Sequence, residues 1–134
     1  MKEFLKPNFW FVLLVLLMAS GAASAATIYV PDDYEKIQWA IDNASTGDVI
    51  VVRDGTYYEN IKVDKQLTLI SENGSASCII SGSGAATVKL LSPCSFSGFT
   101  VEASGYPAVT SWDIGGIIIS DCILEGDKGI AVYN

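Results

Sequence analysis

From residue 49 onward the apolar positions come in short runs, Val49 to Val52, Leu67 to Ile70, Cys78 to Ile80, Val88 to Leu91, Phe96 to Val101, Ile117 to Leu124 and Ile130 to Val132, with Gly, Ser, Asn and Asp between them. Runs this short, bounded by turn formers, predict β-strands. Two are near copies. Phe96-Ser97-Gly98-Phe99-Thr100-Val101 and Ile119-Ser120-Asp121-Cys122-Ile123-Leu124 share the order apolar, small, small or polar, apolar, apolar or β-branched, apolar, 23 residues apart. A period of that size is the mark of a solenoid coil. Aligned on it, Phe99 and Val101 stack over Cys122 and Leu124, and Val109 falls near Ile130 to Val132. Ile79 and Ile80 precede Phe99 and Val101, and Val88 and Leu90 precede Val109, by about 20 residues. Each coil then holds several strands of three to five residues, too short for a sandwich, and stacked parallel coils bury aliphatic side chains in continuous columns. The pattern leaves the third strand of each coil unassigned.

Before the ladder, Thr27 to Val30 reads as a first strand stopped by Pro31-Asp32-Asp33. Asp32 with Glu35 three residues later has the form of a capping box, and Ile37, Ala40, Ile41 and Ala44 follow at helical spacing. A short amphipathic helix results, ended by the Ser45-Thr46-Gly47 turn, and its physical use is to cover the apolar end of the stack. Asp32 and Asp33 are accordingly a helix start and not a catalytic dyad. At the other end the last strand stops at Asn134 with no capping element. Repeat arrays need terminal caps, so the expectation is a truncated solenoid, continued by further chain or covered by a partner, end-to-end self-association included.

The first 25 residues have a different pattern. Lys2 and Lys6 precede an unbroken apolar run from Phe9 to Met18, then small residues to Ala26, with Ala23-Ser24-Ala25 suited to signal peptidase. This is a secretory signal peptide over 1–25, leaving one domain, 26–134, with its capping strand and helix in 26–47 and its coils in 48–134. The ten-residue run is well short of the roughly 20 needed to span a bilayer, and no later segment is long or apolar enough either. The expected location is secreted or at the cell surface. Removal of the leader leaves six basic against fourteen acidic side chains. An acidic surface repels phosphate backbones, which argues against nucleic-acid binding. It suits salty or calcium-containing surroundings, but no ligand set marks a calcium site and no cofactor is called for. Cys78, Cys94 and Cys122 are odd in number and lack zinc spacing. Export would permit one disulfide, with three possible pairings, but they are expected as three buried free thiols.

The segments Ala26 to Tyr34, Ile37 to Ile41, Gly47 to Ile61, Leu67 to Gly74 and Phe96 to Val101 resemble the opening of secreted right-handed parallel β-helix proteins. That group of carbohydrate-binding and sugar-hydrolase domains includes pectinesterases, copper-insertion proteins of the nitrous-oxide reductase system and archaeal cell-surface proteins. The resemblance covers essentially the whole mature chain and implies an all-β, right-handed parallel β-helix. It implies little about activity. The pectinesterase glutamine would fall in Tyr106-Pro107-Ala108-Val109, where this chain has Pro107, and the first catalytic aspartate would fall at Gly129. The second aspartate and the arginine of that family would lie beyond Asn134.

Other chemistries fare no better. The chain has no histidine, which removes the commonest general base. Asp113, Asp121, Glu125 and Asp127 could supply a glycosidase pair, but nothing in the sequence makes two of them converge. The single arginine, Arg53, reads as a turn residue. Both methionines lie in the leader, so copper ligands are confined to scattered cysteines. A binding role asks for less: Tyr57, Tyr58, Tyr106 and Trp112 lie in or near turns, and flat aromatic faces beside carboxylates suit sugar rings. The loop from Tyr106 to Asp113, with Tyr106, Trp112 and Asp113, is the candidate carbohydrate-binding site; Tyr57 and Trp112 also fit as packed solenoid residues. Asn43-Ala44-Ser45 and Asn73-Gly74-Ser75 match the N-glycosylation pattern. The sequence thus points to a non-catalytic β-helix module that serves as an envelope scaffold or binds polysaccharide. The alternatives are the N-terminal part of a carbohydrate-active enzyme with its catalytic residues beyond 134, and an adhesion module acting on protein.

Overall fold

The computed structural model describes residues 24–112 and 114–133. All but the last two residues of the expected leader, and Asp113, lie outside this range. Along it run β1 (Thr27–Val30), α1 (Ile37–Asn43), β2 (Val49–Val52), β3 (Gly55–Tyr57), β4 (Ile61–Val63), β5 (Thr68–Ser71), β6 (Cys78–Gly82), β7 (Val88–Leu90), β8 (Cys94–Ser97), β9 (Thr100–Ala103), β10 (Val109–Trp112), β11 (Ile117–Ser120), β12 (Ile123–Glu125) and β13 (Ile130–Tyr133). The strands form three sheets, ordered β1-β2-β5-β8-β11, β3-β6-β9-β12 and β4-β7-β10-β13. All neighbours are parallel. One strand per sheet makes a coil, and the stack is a β-solenoid of about five turns.

Two runs that read as single strands are each two. Phe96 to Val101 divides into β8 and β9, and Ile117 to Leu124 into β11 and β12. The break falls at Gly98 (φ 78°) and Asp121 (φ 54°), whose left-handed backbone turns the chain from the first sheet to the second. The 23-residue copies are therefore successive copies of one corner. The strand that the pattern left open is that of the first sheet, because the aligned positions Ile80, Val101 and Leu124 belong to the second sheet and Val88, Val109 and Ile130 to the third.

The core consists of columns running through the sheets. Ile28, Ile50, Leu69, Phe96 and Ile119 share one register position in the first sheet. Tyr57, Ile80, Val101 and Leu124 share one in the second, and Ile61, Val88, Val109 and Ile130 one in the third. Ile50, Leu69, Phe96, Ile80, Val101, Val88 and Val109 are fully buried, each contributing roughly 1.5–3 kcal/mol of burial. Phe99 leaves its corner to stack on Phe96, ring centres 4.5 Å apart.

Helix α1 buries Ile37, Ala40 and Ile41 against β1, β2 and β4, and so covers one end of the stack. Its start is not the Asp32–Glu35 box. Lys36 is the N-cap and makes no side-chain cap, while Asp32 pairs with Arg53. The open amides are served from the next coil: Glu59 accepts from the amides of Ile37 (2.9 Å) and Gln38 (3.0 Å). Arg53 is more than a turn residue. It bridges Asp32 at 2.6 Å and Glu72 at 2.7 Å from three successive coils, over the ring of Tyr29. All three cysteines are free, but only Cys78 and Cys94 are buried; Cys122 is half-buried because its coil lies at the edge of the described stack.

Candidate functional site

The corner between the second and third sheets repeats in successive coils, and it is tight because it has no side chains at key points. A Cβ on Gly82 would lie 2.5 Å from Thr87 Oγ1, and one on Gly126 would lie 2.7 Å from the Ala108 nitrogen and 2.8 Å from the Tyr106 carbonyl. With these corners drawn in, the turn from Ser104 to Pro107 stands between two grooves. One, of about 360 Å³, is walled by Tyr106, Pro107, Trp112 and Tyr133, with Lys89 and Thr110 rising from the third sheet. The other, of about 500 Å³, opens beside Ser104 and Gly105 and carries Glu102, Glu125 and Asp127.

The first groove is aromatic by register. Trp112 and Tyr133 are direct partners on β10 and β13, and their rings sit 5.6 Å apart at 39°. Tyr106, Trp112 and Tyr133 are 43%, 47% and 49% exposed, so each presents ring surface while its root is held. Lys89 is exposed and makes no ion pair among the described residues, whereas Arg53 and Lys62 do. Lys62 is the register partner of Lys89 in the adjoining coil. Apolar ring faces with ammonium and hydroxyl groups at their base can hold a sugar ring by its face and its oxygens.

Tyr106 and Trp112, the two described members of the expected site, line this one groove. Trp112 does so as the last residue of strand β10, and not from a loop as expected, because the ladder to β13 continues through it. Tyr133 and Lys89 were not singled out from the sequence. The 21-residue step from Val109 to Ile130 extends to Tyr133 and would have located it; an exposed lysine mid-strand gives no such signal. Tyr57 is a packed residue, its hydroxyl donating to the Arg53 carbonyl at 2.9 Å. Tyr58 is 83% exposed and lines neither groove.

In the second groove Glu102 and Glu125 are register partners on β9 and β12, with Asp127 beyond them. Of the four carboxylates noted in the sequence, Glu125 and Asp127 come together there, joined by Glu102. Among the described residues no grouping of three or more His, Cys, Asp or Glu is arranged to hold a metal ion, and no helix is long and apolar enough to cross a membrane.

No protein-family model matches the chain, and no solved structure matches it. In an alignment of 70 positions that takes in 48% of its length, the chain is 47% identical to the cell surface glycoprotein of Methanothermus fervidus. The chain matches 12% of that protein's length.

Proposed function

We propose that this chain is an exported, non-catalytic β-solenoid module of the cell envelope that binds polysaccharide in the groove of Tyr106, Trp112 and Tyr133. The groove carries the binding role: three half-exposed aromatic side chains converge on one face of a rigid stack, with Lys89 at their base. The likeness to a cell surface glycoprotein and the leader-like residues 1–25 support the location. The reading takes the stack as right-handed and requires no cofactor.

A second reading is favoured by the neighbouring groove. Glu102, Glu125 and Asp127 lie across one turn from the aromatic wall, an arrangement suited to a carbohydrate-active enzyme that draws its remaining catalytic residues from elsewhere. One experiment separates the two. Exposure is read by labelling intact cells with an impermeant amine reagent, and unlabelled protein purified from a parallel culture is incubated with envelope polysaccharide. Surface labelling with retention of polymer and no reducing sugar, unsaturated uronate or methanol supports the module. Release of any of those products makes it an enzyme, and an unlabelled protein or unretained polymer ends the proposal.

A further inference from the structure

The corners between the first and second sheets are short in three coils. Arg53-Asp54 joins β2 to β3, Gly98-Phe99 joins β8 to β9, and Asp121-Cys122 joins β11 to β12. The corner between β5 and β6 is six residues long, Glu72 to Ser77. In a solenoid an insertion confined to one coil projects from the stack, since the flanking strands keep their register. Register with the preceding coil holds on both sides of this corner, Val51 pairing with Ile70 before it and Thr56 with Ile79 after it. The inserted residues contain Asn73-Gly74-Ser75.

We infer that Asn73 is an N-glycan acceptor and that Asn43, which heads the other matching triplet, is not. Asn73 is exposed, and its Nδ2 is 3.0 Å from both carboxylate oxygens of Asp54 in the coil beneath. Gly74 takes φ 95°, which folds the chain sharply between the acceptor and Ser75, and a Cβ built there meets nothing within 4 Å. The loop is anchored on the stack by two bonds, Ser71 Oγ accepting from the Gly74 amide at 3.0 Å and Thr100 Oγ1 of the next coil donating to the Ser75 carbonyl at 2.8 Å, while the Asn73 side chain stays exposed. A transferase must grip residues on both sides of the acceptor, and this corner offers them.

Asn43 matches the same pattern in the wrong setting. It is the last residue of α1, and its Nδ2 donates back to the Trp39 carbonyl at 2.8 Å. Ala44, the middle residue of its triplet, is buried, with its amide on the carbonyls of Ala40 and Ile41 and its carbonyl under Lys65 Nζ. Opening that triplet would pull away the end of the capping helix.

The reaction forms a bond from Asn73 Nδ2 to the anomeric carbon of an oligosaccharide carried on a lipid phosphate. The bond from that carbon to the phosphate oxygen breaks, the phosphate leaves with the electron pair, and one amide proton is released to it or to solvent. Nothing is oxidised or reduced. The modified nitrogen keeps one N–H, enough to go on donating to Asp54. The glycan would stand at a different corner from the aromatic groove, so the two would not compete.

This assignment rests on export to the cell surface, and the test reads the two separately. Full-length protein is recovered from its own cells after surface labelling, and its peptides are mapped by mass spectrometry. The expected result is an oligosaccharide on the peptide containing Asn73 and none on that containing Asn43. N73Q and S75A should abolish the added mass, S75T should keep it, and N43Q should leave it unchanged, with circular dichroism confirming the fold of each. A surface-labelled protein with bare Asn73, or with equal occupancy at Asn43, overturns this inference and leaves the surface role standing. A bare and unlabelled protein overturns both.

Discussion

Glu59 and Ile37 are 22 residues apart in sequence and meet at the first turn of the capping helix, where the carboxylate takes the Ile37 amide at 2.9 Å and, through its other oxygen, the Gln38 amide at 3.0 Å. At the far end of the same helix Lys65 Nζ donates to the carbonyls of Ile41 (2.9 Å), Asp42 (2.8 Å) and Ala44 (2.9 Å). A seven-residue helix does not hold itself together in water. This one is clamped by the next coil, anion at the amide end and cation at the carbonyl end, the signs that suit a helix dipole.

Removing either jaw of the clamp should loosen the cap. Glu59→Ala is expected to lower unfolding stability by about 1–2 kcal/mol, since it leaves two amides without their charged acceptor. Glu59→Gln should cost less, because one oxygen can still accept. Lys65→Met should destabilise independently, and the double variant should be near additive because the two ends lie about 10 Å apart. Urea denaturation measures all four proteins. An unchanged midpoint in Glu59→Ala would mean that water serves the two amides equally well.

The first-to-second-sheet corner gives a sharper case. A Cβ on Gly98 would sit 2.5 Å from Ser71 Oγ, at a φ of 78°. Gly98→Ala should therefore cost more than the roughly 1–2 kcal/mol that left-handed backbone imposes on an L-residue, the excess coming from the clash. Adding Ser71→Ala removes the clash but not the backbone strain, so the double variant should recover part of the loss. A coupling of at least about 0.5 kcal/mol in the double-mutant cycle is expected. Strict additivity would show that Ser71 moves aside at no cost.

How much of this was legible in the sequence follows from what each feature depends on. The parallel stacking and its 23-residue step were readable because Phe96 and Ile119 fill the same slot of one column, and like slots select like side chains. The division of each long run at Gly98 and Asp121 was not, because an aspartate in left-handed backbone leaves no mark that differs from an ordinary turn aspartate. The helix was readable from the spacing of Ile37, Ala40 and Ile41, but its cap was not: Glu59 is a distant partner brought close only by the coil. Tyr106 and Trp112 were singled out as flat exposed faces. Tyr133 and Lys89 enter the groove through register across coils, which local sequence does not display.

The thiols and Asp48 set the pH dependence of stability. Burial pushes Cys78 up to about 12 and Cys94 up to about 11, from an ordinary 9.0, and raises the half-buried Cys122 as well. Burial also raises Tyr57 to about 12 from 10.0. A proton-binding group whose pKa is higher when folded stabilises the fold fully below the unfolded value and loses that contribution as pH rises toward the folded value. Stability should thus fall from about pH 9 upward through the thiols, joined by Tyr57 above about 10. On the acid side the Asp48 carboxyl is held low by the Ser45 and Ala26 amides, which it accepts at 2.8 Å each. Its contribution is complete above the ordinary carboxylate range and is lost as pH falls through it. Chemical denaturation from pH 3 to 11 checks both limbs. In the native protein at pH 8 a thiol reagent should react with Cys122 first, and with Cys78 and Cys94 only on unfolding; early modification of Cys78 would contradict the burial account.

The aromatic groove has a built-in reporter. The described residues contain two tryptophans, Trp39 on the capping helix and Trp112 in the groove, each 47% exposed. Trp39→Phe leaves Trp112 as the one tryptophan among the described residues. If a sugar ring packs on this wall, polysaccharide should change the emission of Trp112 saturably, and Trp39 alone, in Trp112→Phe, should not respond. Tyr133→Ala removes the ring that backs Trp112 and should weaken binding by about tenfold, roughly 1.4 kcal/mol, which lies within the worth of an aromatic contact. Lys89→Gln keeps a hydrogen-bond donor and removes the charge. Its effect should grow as salt is lowered if the bound sugar is anionic, and be flat with salt if the sugar is neutral, since screening acts only on the charged pair. Emission of the Trp39→Phe protein unmoved by polymer that the protein retains would place the binding surface elsewhere on the stack, with the carboxylate groove across the Ser104 to Pro107 turn as the next surface to mutate.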